Sequence, residues 1–158
     1  KPVNKDTPLI DSQDWTALFI QKDGVVMDGS SERFANTLAA LDDVPQEIIP
    51  GRGPSSLISR LAPTARIAAH VGFLNTRLTC HLPLEIPDDC GLRVGNETRE
   101  WRPDELLIFN DSIEHEALNN SNQERFVLIF QVWRPEIGLE ERTWISSVLQ
   151  EIDTYFAG

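Results

Sequence analysis

Arg77-Leu78-Thr79-Cys80-His81-Leu82 alternates polar and apolar side chains one for one. Successive side chains of a strand point to opposite faces. The run therefore reads as a strand with Arg77, Thr79 and His81 on one face and Leu78, Cys80 and Leu82 on the other. The polar face is expected to line a pocket. Outward from it, short apolar or alternating runs recur at residues 67–70, 77–86, 91–94, 97–101, 105–109, 114–118 and 125–133. Turn-formers separate them: Pro87-Asp88-Asp89, Gly95-Asn96, Arg102-Pro103-Asp104 and Asn119-Asn120-Ser121-Asn122. Short strands at this spacing predict a sandwich or barrel. Gly95-Asn96, between Leu92-Arg93-Val94 and Glu97-Thr98-Arg99, has the residues that tolerate the positive φ of a tight hairpin turn. Pro83 cannot donate to a ladder, so within the 77–86 run it marks an edge or a bulge.

The flanks read differently. Two helices are expected at residues 12–21 and 31–41, each opened by a Ser able to cap free amides. In the second, Phe34, Leu38 and Leu41 fall on one face, which should pack on something. Ile48-Ile49-Pro50-Gly51-Arg52-Gly53-Pro54 is turn-rich and marks the passage into the strand pattern. Near the C-terminus, Trp144, Val148, Ile152 and Phe156 recur at helical spacing within 139–156 and predict a helix packed against the sheet. No internal repeat or low-complexity tract is present.

The chain has 158 residues, 41% of them hydrophobic, enough for one well-filled core and too few for two typical domains. A formal charge of −11 disfavours nucleic acid, because phosphate binding needs clustered Lys and Arg, and the basic residues are scattered among more numerous acids. Cys80 and Cys90 form neither a Cys-x-x-Cys metal spacing nor a disulfide framework, so a reducing, cytoplasmic setting is the expectation. No apolar run approaches the ~20 residues that span a bilayer.

All three histidines, His70, His81 and His115, lie within 46 positions of one another, and Arg125 follows at the head of a strand apolar on both faces. Neutral imidazole is the commonest side-chain ligand for a divalent transition metal, and non-haem oxygenases hold Fe(II) with few protein ligands. Without further context such histidines are more often ordinary hydrogen-bonded residues. A guanidinium pointing into a barrel needs an anion, since an unpaired buried charge costs about 3–5 kcal/mol. A ligand carboxylate is one candidate, and Glu114 or Asp111 is another. Asp111 needs a bend in the chain to reach a metal at His115, and Glu114 should face the other way. Trp101, Trp133, Phe109 and Phe130 read as core.

These residues fall into a wider pattern: His70-x-Gly72-x-x-Asn75-x-Arg77-Leu78-x-x-His81-Leu82, Gly95-Asn96-Glu97-Thr98-x-x-Trp101, Phe109-Asn110-Asp111-Ser112-x-Glu114-His115-Glu116, and Arg125-x-x-Leu128-Ile129-Phe130 with Val132-Trp133-x-Pro135. The segment from about Ser59 to Pro135 resembles the catalytic domain of the aspartyl/asparaginyl β-hydroxylases. The resemblance implies a mainly β, double-stranded β-helix (jelly-roll, cupin-like) with flanking helices. Together with the helices read at the flanks, the expectation is a single oxygenase domain with an N-terminal helical flank at 1–53, a β-helix core at 54–135 and a C-terminal helix at 136–158. The resemblance also implies Fe(II) held by His70 and His115, with Gly72 where most such oxygenases place a carboxylate ligand. The distal carboxylate of 2-oxoglutarate would lie on Arg125 and Ser59, and His81 near the end that meets the metal. Ser59 read alone is a helix-surface hydroxyl. Members usually carry Arg two positions before the second histidine. This chain has Thr79 there, leaving Arg77, on the same face, to reach toward that space.

The function implied is hydroxylation of an unactivated carbon with 2-oxoglutarate and O2 as cosubstrates, by resemblance at the β-carbon of Asp or Asn in a peptide or protein. The alternatives are hydroxylation of a free amino acid or other small molecule, and a non-catalytic cupin-like binding domain.

Overall fold

A computed structural model describes residues 14–157. Its strands are β1 (Trp15–Lys22), β2 (Val25–Val26), β3 (Ser56–Leu61), β4 (Arg66–His70), β5 (Arg77–Glu85), β6 (Cys90–Val94), β7 (Glu97–Arg99), β8 (Leu107–Phe109), β9 (His115–Asn119) and β10 (Arg125–Trp133). Its helices are α1 (Ser30–Arg33), α2 (Ala35–Asp42) and α3 (Leu139–Ala157).

The strands form two antiparallel sheets in the orders β2-β1-β3-β10-β5-β8 and β4-β9-β6-β7. From β3 onward the chain passes back and forth between the sheets, and the last strand, β10, lies between β3 and β5. That is a double-stranded β-helix. The alternation in β5 sorts its side chains as expected. Thr79 and His81 are buried on the inner side, whereas Cys80 and Leu82 join an outer cluster with Ile20, Leu41, Leu128 and Phe130. The inner core comprises Leu61, Ile67, Cys90, Leu92, Trp101, Phe109, Ala117 and Val127. Burying side chains of the Phe or Leu class contributes roughly 1.5–3 kcal/mol each, so strand β10, feeding both clusters, is the thermodynamic centre of the larger sheet. Gly95, at φ +56°, and Asn96 close the hairpin that pairs Val94 with Glu97. At Pro83 the β10–β5 register slips between Phe126 and Val127, which is a bulge.

The flanks require corrections. The helix expected at 12–21 is strand β1 where it is described: it pairs with β3 from Trp15↔Leu61 to Gln21↔Ser56, and Ile20 is fully buried. The run Trp15 to Ile20 is rich in aromatic and β-branched residues, and tertiary pairing decides its state. Ser12, the expected cap, lies outside the described residues. The flank at 1–53 is therefore not simply helical. The second helix starts at Ser30, is capped by Gly29 rather than by a side chain, and breaks at Phe34 into α1 and α2. Its face of Phe34, Leu38 and Leu41 does pack, on the outer cluster. Strand β3 has no counterpart among the expected elements. Finally, α3 forms as expected but does not bury its apolar stripe on the sheet: Trp144 is 68% exposed and Phe156 81%. Among the described residues no helix is long and apolar enough to cross a membrane.

Candidate active site

His70 ends β4 and His115 begins β9, and the two are direct cross-strand partners. Three steps of β4 (Ile67 to His70) oppose two of β9 (Ala117 to His115), so the register slips by one residue between the pairs. Without that bulge His70 would have the opposite parity from the buried Ile67 and turn away from the core. With it, the two imidazoles lie 4.1 Å apart between ring centroids. Each Nδ1 is hydrogen-bonded to a backbone carbonyl two residues earlier, His70 to Ala68 at 2.8 Å and His115 to Ile113 at 2.9 Å. This places the proton on Nδ1 and leaves Nε2 with a free lone pair, the outer-shell arrangement that prepares histidine for a metal. Burial holds the His115 pKa below its ordinary value, with the charge of His70 adding in the same direction. Metal–nitrogen bonds of about 2 Å allow two rings at this separation to share one ion. Among the described residues no group of three or more His, Cys, Asp or Glu encloses a metal position, so these two imidazoles are what the site offers.

Next to them, Gly72 and Asp111 share one space. The Gly72 N–H donates to the Asp111 carbonyl at 2.7 Å. A Cβ at position 72 would sit 2.5 Å from Asp111 Cγ and 2.6 Å from both carboxylate oxygens, closer than real contacts allow. The carboxyl group beside the histidines thus comes from position 111, and glycine at 72 makes room for it. The bend that brings it there is local: Asn110 Oδ1 accepts hydrogen bonds from the Ser112 N–H and hydroxyl, at 3.1 and 2.8 Å. Thr79 donates its hydroxyl to Asp111 Oδ2 at 3.1 Å, and Arg77 Nη2 stands 3.8 Å from the same oxygen. Asp111 Oδ1 is buried with no hydrogen-bond partner. Glu114 faces the other way and pairs with Arg93 at 3.0 Å.

Deeper in the barrel, Arg125 is 1% exposed. Among the described residues no carboxylate pairs with it. Nη1 donates to Ser59 Oγ at a long 3.5 Å, Nε has no partner, and the guanidinium lies 5.0 Å over the Trp101 ring. Burial lowers its pKa to about 10, which leaves it charged at neutral pH. Ser59, far from being a helix-surface hydroxyl, is fully buried on β3, where the Trp15 indole N–H donates to its Oγ at 2.9 Å. His81 stacks on Trp101 and accepts a 3.3 Å hydrogen bond from its indole N–H at Nδ1, so the His81 proton resides on Nε2. Burial, then the charges of Arg125 and His115, pushes its pKa down to about 3, and His81 is a neutral donor. Phe109 sits edge-on to both His81 and His115, at 5.1 Å from each, and ties the two halves together.

Arg77 belongs to a third cluster. Its Nη1 is 3.2 Å from Oε2 of Glu47, a carboxylate only 2% exposed, and Thr76 donates to Oε1 of the same group at 2.6 Å. A recess of about 490 Å³ lined by Asp23, Arg52, Phe73, Leu74 and Arg77 opens onto this cluster. A larger cleft between the edge strands β7 and β8 is lined by Phe109 but by no histidine, and lies beside the chemistry rather than on it.

The structure therefore brings His70 to His115, Ser59 to Arg125 and His81 to the same barrel interior, with Arg77 set between Glu47 and Asp111. Reading the sequence missed Glu47 and Trp15, and treated Trp101 as core alone. Only Trp101 left a signal, since a buried indole N–H needs an acceptor.

A family model described as aspartyl/asparaginyl β-hydroxylase matches residues 2–135. Human aspartyl/asparaginyl β-hydroxylase is 30% identical over 145 residues, which is 91% of this chain and 19% of that protein. Human aspartate β-hydroxylase domain-containing protein 2 is 30% identical over 149 residues, 92% of this chain and 38% of that protein. The chain thus spans well under half the length of these relatives. Among solved structures, the plu4264 protein of Photorhabdus luminescens is similar with a TM-score of 0.50 over 96% of both chains at 11% identity, a likeness of fold alone.

Proposed function

Because the chain belongs to the aspartyl/asparaginyl β-hydroxylase family, we propose that it is an Fe(II)- and 2-oxoglutarate-dependent dioxygenase acting on the β-carbon of an Asp or Asn residue in a peptide or protein. The observation that carries this reading is the pairing of two metal-ready imidazoles with a buried guanidinium that lacks a counter-charge. Bound iron, with 2-oxoglutarate and O2, supplies the oxidation of an unactivated C–H bond coupled to decarboxylation of the cosubstrate.

The residues divide the remaining work. His70 and His115 hold the metal through Nε2. Arg125, assisted by Ser59, receives the distal carboxylate, whose charge offsets the cost of burying the guanidinium. His81, fixed by the Trp101 indole, donates from Nε2 to the near end of the cosubstrate. Asp111 keeps a carboxylate oxygen without a hydrogen-bond partner beside the imidazoles, where it would face a metal held by His70 and His115. Trp101 and Phe109 exclude bulk water from around these groups.

Anaerobic titration with Fe(II) and 2-oxoglutarate tests the reading. The expected result is a weak visible charge-transfer band that disappears in His115→Ala and in Arg125→Ala. A folded wild-type protein that shows no band, and binds neither metal nor 2-oxoglutarate, would make the chain a binding domain instead.

A further inference from the structure

Glu47 is a buried carboxylate that the reading above leaves without a role. Segment 45–47 leaves the helical region and lies along the end of β10: Gln46 bridges to Val132, the Glu47 N–H donates to the Gln131 carbonyl, and the Trp133 N–H donates to the Pro45 carbonyl at 2.9 Å. Since Trp133 is the β-partner of Arg77, this path delivers the Glu47 carboxylate to the start of β5. There Thr76 and Arg77 satisfy it, at 2.6 and 3.2 Å. The other terminal nitrogen of Arg77 then faces Asp111 Oδ2 at 3.8 Å, beyond hydrogen-bond length.

One guanidinium therefore stands between two carboxylates, held at hydrogen-bond distance by the remote one and kept off the one beside the histidines. Its Nε and the Asp111 Oδ1 are both buried without a partner, an arrangement that a closer Arg77–Asp111 pair would relieve. The tie to Glu47 opposes that closure. Asp111 is correspondingly left under-coordinated against Gly72, where a cation at His70 and His115 would meet it.

We propose that Glu47 is a positioning residue for the metal centre: it holds Arg77 back from Asp111 and so preserves the negative charge that faces the metal position. The proposal rests on the assignment of His70 and His115 as metal ligands. Glu47 touches neither metal nor substrate and acts through Arg77. A purely structural Glu47 would tie segment 45–47 to β5, and its loss would show in stability but not selectively in metal affinity.

The test is Co(II) binding, followed by visible absorption, together with thermal melting, for wild type, Glu47→Gln, Arg77→Gln and the double variant. Outer-shell changes typically weaken metal binding by about 10–100-fold, and Glu47→Gln is expected to lose roughly tenfold as Arg77 closes on Asp111. Removing the cation as well is expected to restore affinity to within about threefold of wild type, because there is then nothing to neutralise Asp111. A double variant that binds no better than Glu47→Gln, or a Glu47→Gln protein that binds like wild type, overturns the proposal while leaving the metal assignment intact. Should Glu47→Gln fail to fold, Arg77→Gln decides alone: affinity must equal or exceed wild type, and a loss overturns the proposal. Wild type that binds Co(II) no better than His115→Ala removes the metal assignment and the proposal together.

Discussion

Two arginines, the buried Arg125 and the partly exposed Arg77, sit on neighbouring strands of one sheet, and their surroundings are opposite. Arg77 is shared between Glu47 and Asp111, so that cluster carries one positive and two negative charges before anything binds. Arg125 has a serine hydroxyl at 3.5 Å, an aromatic face and a thiol for neighbours, and carries an uncompensated positive charge. The first cluster is arranged to favour a cation nearby, the second to favour an anion. The difference also bears on Thr79. Arg77 does reach toward the space that a longer residue at 79 would fill, but there it meets Asp111, and a further carboxylate would be the third around one guanidinium. Under the proposed function, this weakens Arg77 as an anchor for 2-oxoglutarate and leaves that task to Arg125, Ser59 and His81.

Exchanging each arginine for an apolar residue of similar length should break the comparison most sharply. Arg125→Met is expected to reduce 2-oxoglutarate affinity by about a hundredfold, as for truncation of one partner of a buried charge pair, by titration calorimetry on the metal-loaded protein. In the ligand-free protein the same change should raise stability, by about 1–4 kcal/mol, because it removes a charge that lacks its partner. Arg77→Met should do the reverse. It strands the Glu47 carboxylate in the interior and is expected to cost about 3 kcal/mol in urea unfolding. Equal signs for the two stability changes would end the distinction between them.

How far this contrast could be read from the residues depends on the range of the interaction. The alternation in β5 and the two-sided apolar pattern of β10 are local signals, and they placed Thr79, His81 and Arg125 inside the barrel. Strand β1 is not legible in the same way. Trp15 to Ile20 suits either state, and only pairing with β3 selects the extended one. β3 itself mixes Ser56, Ser59 and Arg60 with apolar residues, and being central in its sheet outweighs its composition. The bulge that turns His70 toward His115 leaves no mark in Ile67-Ala68-Ala69-His70, because register is a property of two strands. The sequence left the bend that Asp111 needs to come beside the histidines undecided, and the Asn110–Ser112 turn supplies it. Glu47 is brought in by bridges to residues more than 80 positions away.

The neutral histidine between the two clusters gives a prediction of intermediate size. His81 has a folded-state pKa far below the value near 6.5 that the unfolded chain adopts, so below that pH the unfolded state binds a proton that the folded state refuses. Stability should therefore fall as pH drops from about 6.5 toward 3, and His115, shifted in the same direction, adds to the slope. Urea midpoints across this range should fall less steeply for His81→Gln than for wild type. Parallel slopes would mean that His81 is not held neutral beside Arg125.

The smallest expected effect separates the guanidinium from Ser59, whose hydroxyl it meets at 3.5 Å. Ser59 accepts from Trp15 at 2.9 Å and from Arg125 at 3.5 Å, so its oxygen is positioned by the indole rather than by the arginine. If the arginine supplies the attraction and the serine supplies direction, Ser59→Ala should weaken 2-oxoglutarate binding only about fivefold, the equivalent of one hydrogen bond of about 1 kcal/mol. Trp15→Phe should give a change of the same size through loss of that positioning, and the two together should not exceed either alone, because both act on one oxygen. Additive losses would show that the indole and the hydroxyl serve different ends. The Arg125 cluster would then be a packed polar core rather than a receptor prepared for a carboxylate.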